Sequence, residues 1–190
     1  MNIALFASGS GSNVKNIIEY FEHNKDVHVK LVISNKAEAG ALQHASIANI
    51  KTQLFSYQEL NKVSPIIDIL NEFKIELIVL AGFLLKIPSA LIRSYRGDII
   101  NLHPSLLPKY GGKGMYGNHV HQAVLNALES NTGITIHYVN EQYDEGKIIA
   151  QFSTTISKNE TIDSLLIKIK KLEKDHFPPT IKKIIDQKKS

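Results

Sequence analysis

The chain has 190 residues, 43% of them hydrophobic and 21% charged, a length that suits one domain burying roughly 70% of the surface its unfolded form exposes. That apolar content excludes a disordered chain. Eleven glycines and no cysteine exclude collagen-like and disulfide-rich classes, a thiol nucleophile and a cysteine-bound zinc. The formal net charge is +4, with much of the excess in the tail KKIIDQKKS. That tail reads as a solvated, fraying helix end, so charge gives no reason to expect a nucleic-acid partner.

Strand and helix patterns alternate along the chain. Ile3 to Ala7 is a short apolar run, followed by SGSGSN and the helical VKNIIEYF. Val27 to Ser34 reads as a strand, Ala37 to Ala48 as a helix, and Thr52 to Phe55 as a brief strand. A helical stretch then reaches Phe73, with Ser64-Pro65 placed as an N-cap and a proline at the first helical position. Leu77 to Ala81 is nearly all apolar, as a strand covered on both faces should be. Pro88 opens a short helix that closes near Arg96-Gly97, a C-cap signal. Asp98 to Leu102 is the next strand.

This order predicts an α/β fold, a three-layer sandwich with a mostly parallel, Rossmann-like sheet and helices on both faces. From Gly133 the pattern changes: GITIHYV and KIIAQFSTTI, joined by the turn NEQYDEG, read as an antiparallel extension. A last helix starts near Thr161 and is expected to break at Pro178-Pro179. Residues 1–190 are read as a single domain. The longest uncharged apolar run, Leu77 to Leu85, has nine residues, against the ~20 a spanning helix needs. The N-terminus lacks a basic region before its apolar stretch, so no signal peptide is expected and the cytoplasm is the expected compartment.

Two segments carry chemistry. ASGSGSN, Ala7 to Asn13, lies between a strand and a helix, where backbone N–H groups can surround an anion. It is not G-x-G-x-x-G, since the third position is Val14, nor a Walker A loop. A single phosphomonoester fits better than a dinucleotide, and a tight turn capped by Ser or Asn explains the glycines equally well.

The second segment is DIINLHPSLLPKY. Asn101 and His103 stand two apart at a strand's carboxyl end, so both side chains point to one side, where parallel sheets bind ligands. An amide can stabilise a developing oxyanion, and an imidazole can move a proton near neutral pH. A carboxylate is then wanted to hold the imidazole and favour its charged form. Asp144 is the candidate, with Glu141 and Glu145 as competitors that spacing does not eliminate. His119, His121 and His137 could be read as metal ligands, but no H-E-x-x-H or acidic ligand stands at metal spacing, so no metal is expected. His119 and His121 are read as opening a helix near Asn118. G-x-S-x-G is absent, so the chain has no serine-hydrolase elbow.

The segments MNIALFASGSGSN, ISNKAEA, IVLAGFLLKIP, INLHPSLLPKYGG, TGITIHYVNEQYDEGKII and LEKDHFP together resemble the glycinamide ribonucleotide transformylases. These are the folate-dependent phosphoribosylglycinamide formyltransferases of purine synthesis. The N-x-H-P-S-L-L-P segment with a later D-x-G marks folate-dependent formyltransferases as a group. The S-G-x-G-S-N start narrows it to this branch. The resemblance implies a formyltransferase-like fold that moves the formyl group of 10-formyltetrahydrofolate to the amine of N1-(5-phospho-D-ribosyl)glycinamide, with the folate as co-substrate and no metal, since that donor is already activated. The implied partners are small molecules, with neither nucleic acid nor membrane, and the implied state is a monomer or homodimer.

Position by position, Asn101, His103 and Asp144 match the family's catalytic Asn, His and Asp. Gly11, Ser12 and Asn13 match its phosphate loop. Glu173 matches a carboxylate at the substrate's glycinamide end, and Lys170, or the adjacent Lys171, a position near the ribotide. Leu84, Leu85, Lys86 and Ile87, with Asn140, Glu141, Gln142, Tyr143 and Asp144, match the segments lining the folate pocket, which Asn101 also borders.

Three departures stand out. Where the family often has an Arg on the folate side, this chain has Gln58 and Glu59, and no Arg occurs from Met1 to Leu91. GGKGMYGNHVH is longer than in some members, and the chain ends soon after Pro179, so no longer tail is expected. Other readings are another folate-dependent formyltransferase, a formyltetrahydrofolate deformylase, or a non-catalytic binder. The first two carry extra domains for which this chain is expected to have no room.

Overall fold

Ile3 to Phe6 and Leu77 to Val79 are wholly buried, which is why they read as continuous apolar runs. The computed structural model describes residues 1–189. In chain order the elements are β1 (Asn2–Phe6), α1 (Ser12–Phe21), β2 (His28–Ser34), α2 (Gly40–Ile47), β3 (Lys51–Leu54), α3 (Tyr57–Lys62), α4 (Ser64–Glu72) and β4 (Ile75–Leu80). Then come α5 (Ser89–Ser94), β5 (Asp98–His103), α6 (Asn118–Asn126), β6 (Asn131–Tyr138), β7 (Ile148–Thr155) and α7 (Ile162–Lys189). The strands form a seven-stranded, mostly parallel sheet in the order β3-β2-β1-β4-β5-β6-β7, with helices around it and an antiparallel end, as the sequence predicts.

Two compact units divide the chain, Met1–Ile100 with the part of α7 from Ile185 on, and Asn101–Ile184. In the first, β1 pairs parallel with both β2 and β4, and β2 with β3. In the second, β6 and β7 pair antiparallel, and the register slips between Ile136 and His137. Gly133 is required in that pair, since a Cβ there would lie 2.0 Å from the Phe152 carbonyl oxygen.

Three local readings need correction. Ser64 is not an N-cap: Val63, at φ 62°, caps α4, and Ser64-Pro65 are already helical. The proline therefore still sits in the first turn, where its missing N–H costs nothing. Gly97 is not a C-cap; α5 ends at Ser94 with Tyr95 as its C-cap, and a Cβ at Gly97 would lie 2.5 Å from the Glu76 carbonyl oxygen. The glycine thus serves a close approach to β4. Third, α7 does not break at Pro178-Pro179. Phe177, Ile181, Ile184 and Ile185 are buried on both sides of the prolines. Burial worth about 1.5–3 kcal/mol for each such side chain outweighs a helix penalty of ~3 kcal/mol per interior proline. The tail, read as a solvated helix end, has Asp186, Gln187 and Lys188 exposed. It is helical to Lys189, and Lys188 Nζ pairs with Asp98 Oδ2 at 2.5 Å. Ser190, which the tail reading includes, lies outside the described residues.

Candidate active site

In the second unit, β5 delivers Asn101 and the buried His103 two residues apart. His103 Nε2 lies 2.7 Å from the Tyr110 carbonyl oxygen. A carbonyl only accepts, so Nε2 carries a hydrogen. The other nitrogen, Nδ1, faces Asp144 Oδ2 at 3.6 Å. That is ion-pair distance and just too long for a direct hydrogen bond. Spacing leaves Glu141, Asp144 and Glu145 open; the fold brings Asp144 to the imidazole.

The Asp144 loop is held by its backbone. Asp144 has φ 54°, in the left-handed region, and its Oδ2 accepts the Gly112 N–H at 2.9 Å. The D-x-G motif has a steric reason as well. A Cβ on Gly146 would fall 1.6 Å from the Tyr138 carbonyl oxygen, so only glycine lets the loop close onto the end of β6. Tyr110, which supplies the carbonyl for His103, also has a positive φ of 56°. Its hydroxyl donates to Glu129 Oε1 at 2.9 Å, and Lys109 Nζ bonds the same oxygen at 2.8 Å. Buried Thr135 ties the intervening HPSLLP segment to β6: its hydroxyl donates to Ser105 O at 2.7 Å and accepts the Leu107 N–H at 3.0 Å.

His137 belongs to the same cluster. Its Nδ1 lies 2.9 Å from the Tyr138 carbonyl and its Nε2 lies 3.1 Å from Asn101 Nδ2. Both ring nitrogens thus face protein partners. Sequence reading misses its role beside Asn101. The available signal is polar Thr135 and His137, two apart, inside a strand whose residues 132–137 are all buried. His119 and His121 lie in the first turn of α6, as read. His121 is buried, and its Nδ1 has no partner among the described residues.

In the first unit, Gly11 caps α1 at φ 76°, so the N-cap residue is neither Ser nor Asn, and the loop is a tight strand-to-helix turn on a left-handed glycine. A glycine N-cap brings no side chain of its own over the first turn of α1, and a helix N-terminus favours an anion. Ser12 is exposed and Asn13 buried in that turn. Gly11 also meets a packing demand, since a Cβ there would lie 2.4 Å from Ala41 Cα. Ser8, buried, locks the loop: its hydroxyl donates to Asn35 Oδ1 at 2.5 Å and accepts the Leu84 N–H at 2.9 Å.

A family model described as formyl transferase matches residues 1–181. The chain belongs to the formyl transferase family. A phosphoribosylglycinamide formyltransferase of Bacillus subtilis (strain 168) is 37% identical over 189 residues, covering 96% of this chain and 93% of that protein. A chloroplastic phosphoribosylglycinamide formyltransferase of Vigna unguiculata is 39% identical over 180 residues, 92% of this chain. The chain spans 57% to 61% of the length of the two plant relatives it matches. The crystal structure of phosphoribosylglycinamide formyltransferase from Anaplasma phagocytophilum superposes with a TM-score of 0.89 at 31% identity, covering 98% of this chain and 87% of that one. The enzyme from Bacillus halodurans does so at 0.88 and 32%, covering 97% and 95%.

The remaining matches to formyl transferase positions divide by unit. Among Leu84 to Ile87, Leu84 is exposed, Leu85 and Lys86 are half-buried and Ile87 is buried. In the second unit, Asn140 Oδ1 accepts the Gln142 N–H at 3.0 Å, shaping the 140–144 segment, and Tyr143 is exposed. Glu173 is half-buried and Lys170 exposed on α7, while Lys171 Nζ pairs with Asp175 at 2.6 Å. Where formyl transferases of this branch often carry an Arg, Glu59 serves its own helix. It forms a capping box with Ser56, accepting the Ser56 N–H at 2.8 Å.

Proposed function

We propose that this formyl transferase moves the formyl group of 10-formyltetrahydrofolate to the amine of N1-(5-phospho-D-ribosyl)glycinamide, in de novo purine synthesis in the cytoplasm. The relatives named phosphoribosylglycinamide formyltransferase support it, as does a bovine relative, 33% identical over 184 residues, named trifunctional purine biosynthetic protein adenosine-3. One family match over residues 1–181 supports reading both units as one formyltransferase domain. No helix among the described residues is long and apolar enough to cross a membrane.

One observation carries the chemistry: the Asp144 carboxylate faces the one nitrogen of His103 that the Tyr110 carbonyl leaves over. The substrate amine attacks the formyl carbon, giving a tetrahedral intermediate. The Asn101 amide N–H stabilises its oxyanion. His103, fixed through Nε2, uses Nδ1 to stabilise the same charge and to protonate N10 as the bond from N10 to the formyl carbon breaks, and the proton shed by the attacking amine returns to Nδ1, each directly or through one water. Asp144 supplies the opposite charge beside the imidazolium. Binding both substrates in register contributes the rest of the rate, since effective molarities for oriented pairs are large. Gly11, Ser12 and Asn13 take the phosphate, and Lys170 and Glu173 the polar groups of the ribotide. Leu84 to Ile87, Asn101 and Asn140 to Asp144 serve the folate.

The test is to mix the protein with both substrates and follow deformylated folate. Consumption that requires the ribotide supports transfer. Consumption without it makes the protein a deformylase, and no consumption makes it a binder.

A further inference from the structure

We propose that His137 is a positioning residue for Asn101: a neutral imidazole whose Nε2 lone pair fixes which end of the Asn101 amide faces it. This rests on the reading of Asn101 as an oxyanion donor. The Tyr138 carbonyl lies 2.9 Å from Nδ1, and a carbonyl cannot donate, so Nδ1 holds the hydrogen. In a neutral ring Nε2 is then bare and accepts. The Asn101 atom 3.1 Å away is accordingly the amide nitrogen, not the oxygen. One of its two hydrogens goes to His137. The second is held at a fixed angle to the first and is the one left for a developing oxyanion. Without the acceptor, the amide is free to turn its oxygen toward the reaction, which repels the charge it should stabilise.

The neutral state also protects the neighbouring pair. Asp144 Oδ1 lies 3.7 Å from His137 Nε2, while Asp144 Oδ2 faces His103. A hydrogen on His137 Nε2 would compete for Asp144 and would also exclude the Asn101 N–H. Burial, first of all, pushes His137 below the ordinary histidine value, with the nearby His103 acting the same way. The Tyr138 carbonyl and Asp144 act against that. His137 is 2% exposed, and the register slip at Ile136–His137 sits at this residue. Such irregularities commonly re-aim a side chain beside a site.

Three measurements test it. Nitrogen-15 NMR of histidine-labelled protein without substrates, near neutral pH, should show His137 protonated at Nδ1 and bare at Nε2. The opposite tautomer, or an imidazolium, overturns the proposal. His137→Phe should lower kcat at least ~10-fold, a fraction of what losing an oxyanion donor costs, with both KM values within about twofold. His137→Gln, which offers an acceptor oxygen in the same direction, should recover much of that loss. A His137→Phe variant with near wild-type kcat, or a loss that Gln does not relieve, reduces His137 to a packed core residue. Should the wild type transfer no formyl group, the assigned activity fails while the tautomer still decides the positioning.

Discussion

The loop from Ser8 to Asn13 and the cluster around His103 are built from different material. The loop is backbone: a left-handed Gly11, an α1 N-terminus without a side-chain cap, and one buried serine locking it. The cluster is side chains: Asn101, His103, His137 and Asp144, drawn from β5, β6 and the turn after β6. A backbone site spreads its interaction over several N–H groups, so no single side chain dominates it. A side-chain site concentrates function in single atoms, and one substitution can remove it. The first should lose affinity gradually, the second turnover abruptly.

The largest effect expected is at His103. His103→Ala removes the proposed proton donor and should lower kcat at least ~10²-fold, the low end for general acid–base catalysis, with the fold and ribotide affinity kept. Near wild-type turnover would take His103 out of the mechanism and break the contrast at once.

Glycines sharpen the same contrast next. Gly146→Ala drives a Cβ onto the Tyr138 carbonyl, so the Asp144 loop must reorganise. The expected cost is about 2–4 kcal/mol in urea unfolding, in the range for backbone-level disruption, together with a fall in kcat from displaced Asp144. Gly9→Ala meets nothing within 4 Å and should change stability by no more than ~0.5 kcal/mol. Equal costs at the two positions would mean that the Asp144 loop adapts more freely than its geometry indicates.

A smaller effect is expected in the loop's own side chains. Ser12→Ala should raise the ribotide KM roughly two- to tenfold, the worth of one hydrogen bond, with kcat and folate KM unchanged. Asn13→Ala should act in the same direction. A change confined to folate affinity would remove the loop from phosphate binding.

Much of the sheet is legible because burial on both faces writes itself into composition, as in the runs of β1 and β4. Asn101 and His103 are legible because they are two apart on one strand. Asp144 is not separable from Glu141 and Glu145 by spacing, because the choice is made by two contacts remote in sequence, the Gly112 N–H and the Tyr138 carbonyl behind Gly146. The Tyr110 carbonyl that fixes His103 has no sequence signature, since every residue carries one. The prolines of α7 mislead for a related reason: propensity is local, and the buried face that overrides it is not.

The smallest effect expected is a pH dependence of stability that the side-chain cluster carries and the first loop does not. His121 is pushed below the ordinary histidine value by burial and then by the charge of His103; His137 is lowered mainly by burial. The native chain therefore stays neutral at these rings while the unfolded chain takes up protons below about pH 6.5. Stability is intact above that pH and is lost as pH falls toward the lowered native values, by up to ~1.4 kcal/mol per pH unit for each ring. Urea midpoints near pH 7.5 and 5.5 should differ in the wild type. His121→Leu should make that difference smaller, whatever it does to stability at pH 7.5. Ser8→Ala, which breaks the loop's lock on Asn35 and Leu84, should lower both midpoints alike, because no titrating group is involved. A His121→Leu slope equal to the wild type's would show that the imidazole pays no desolvation penalty where it is buried.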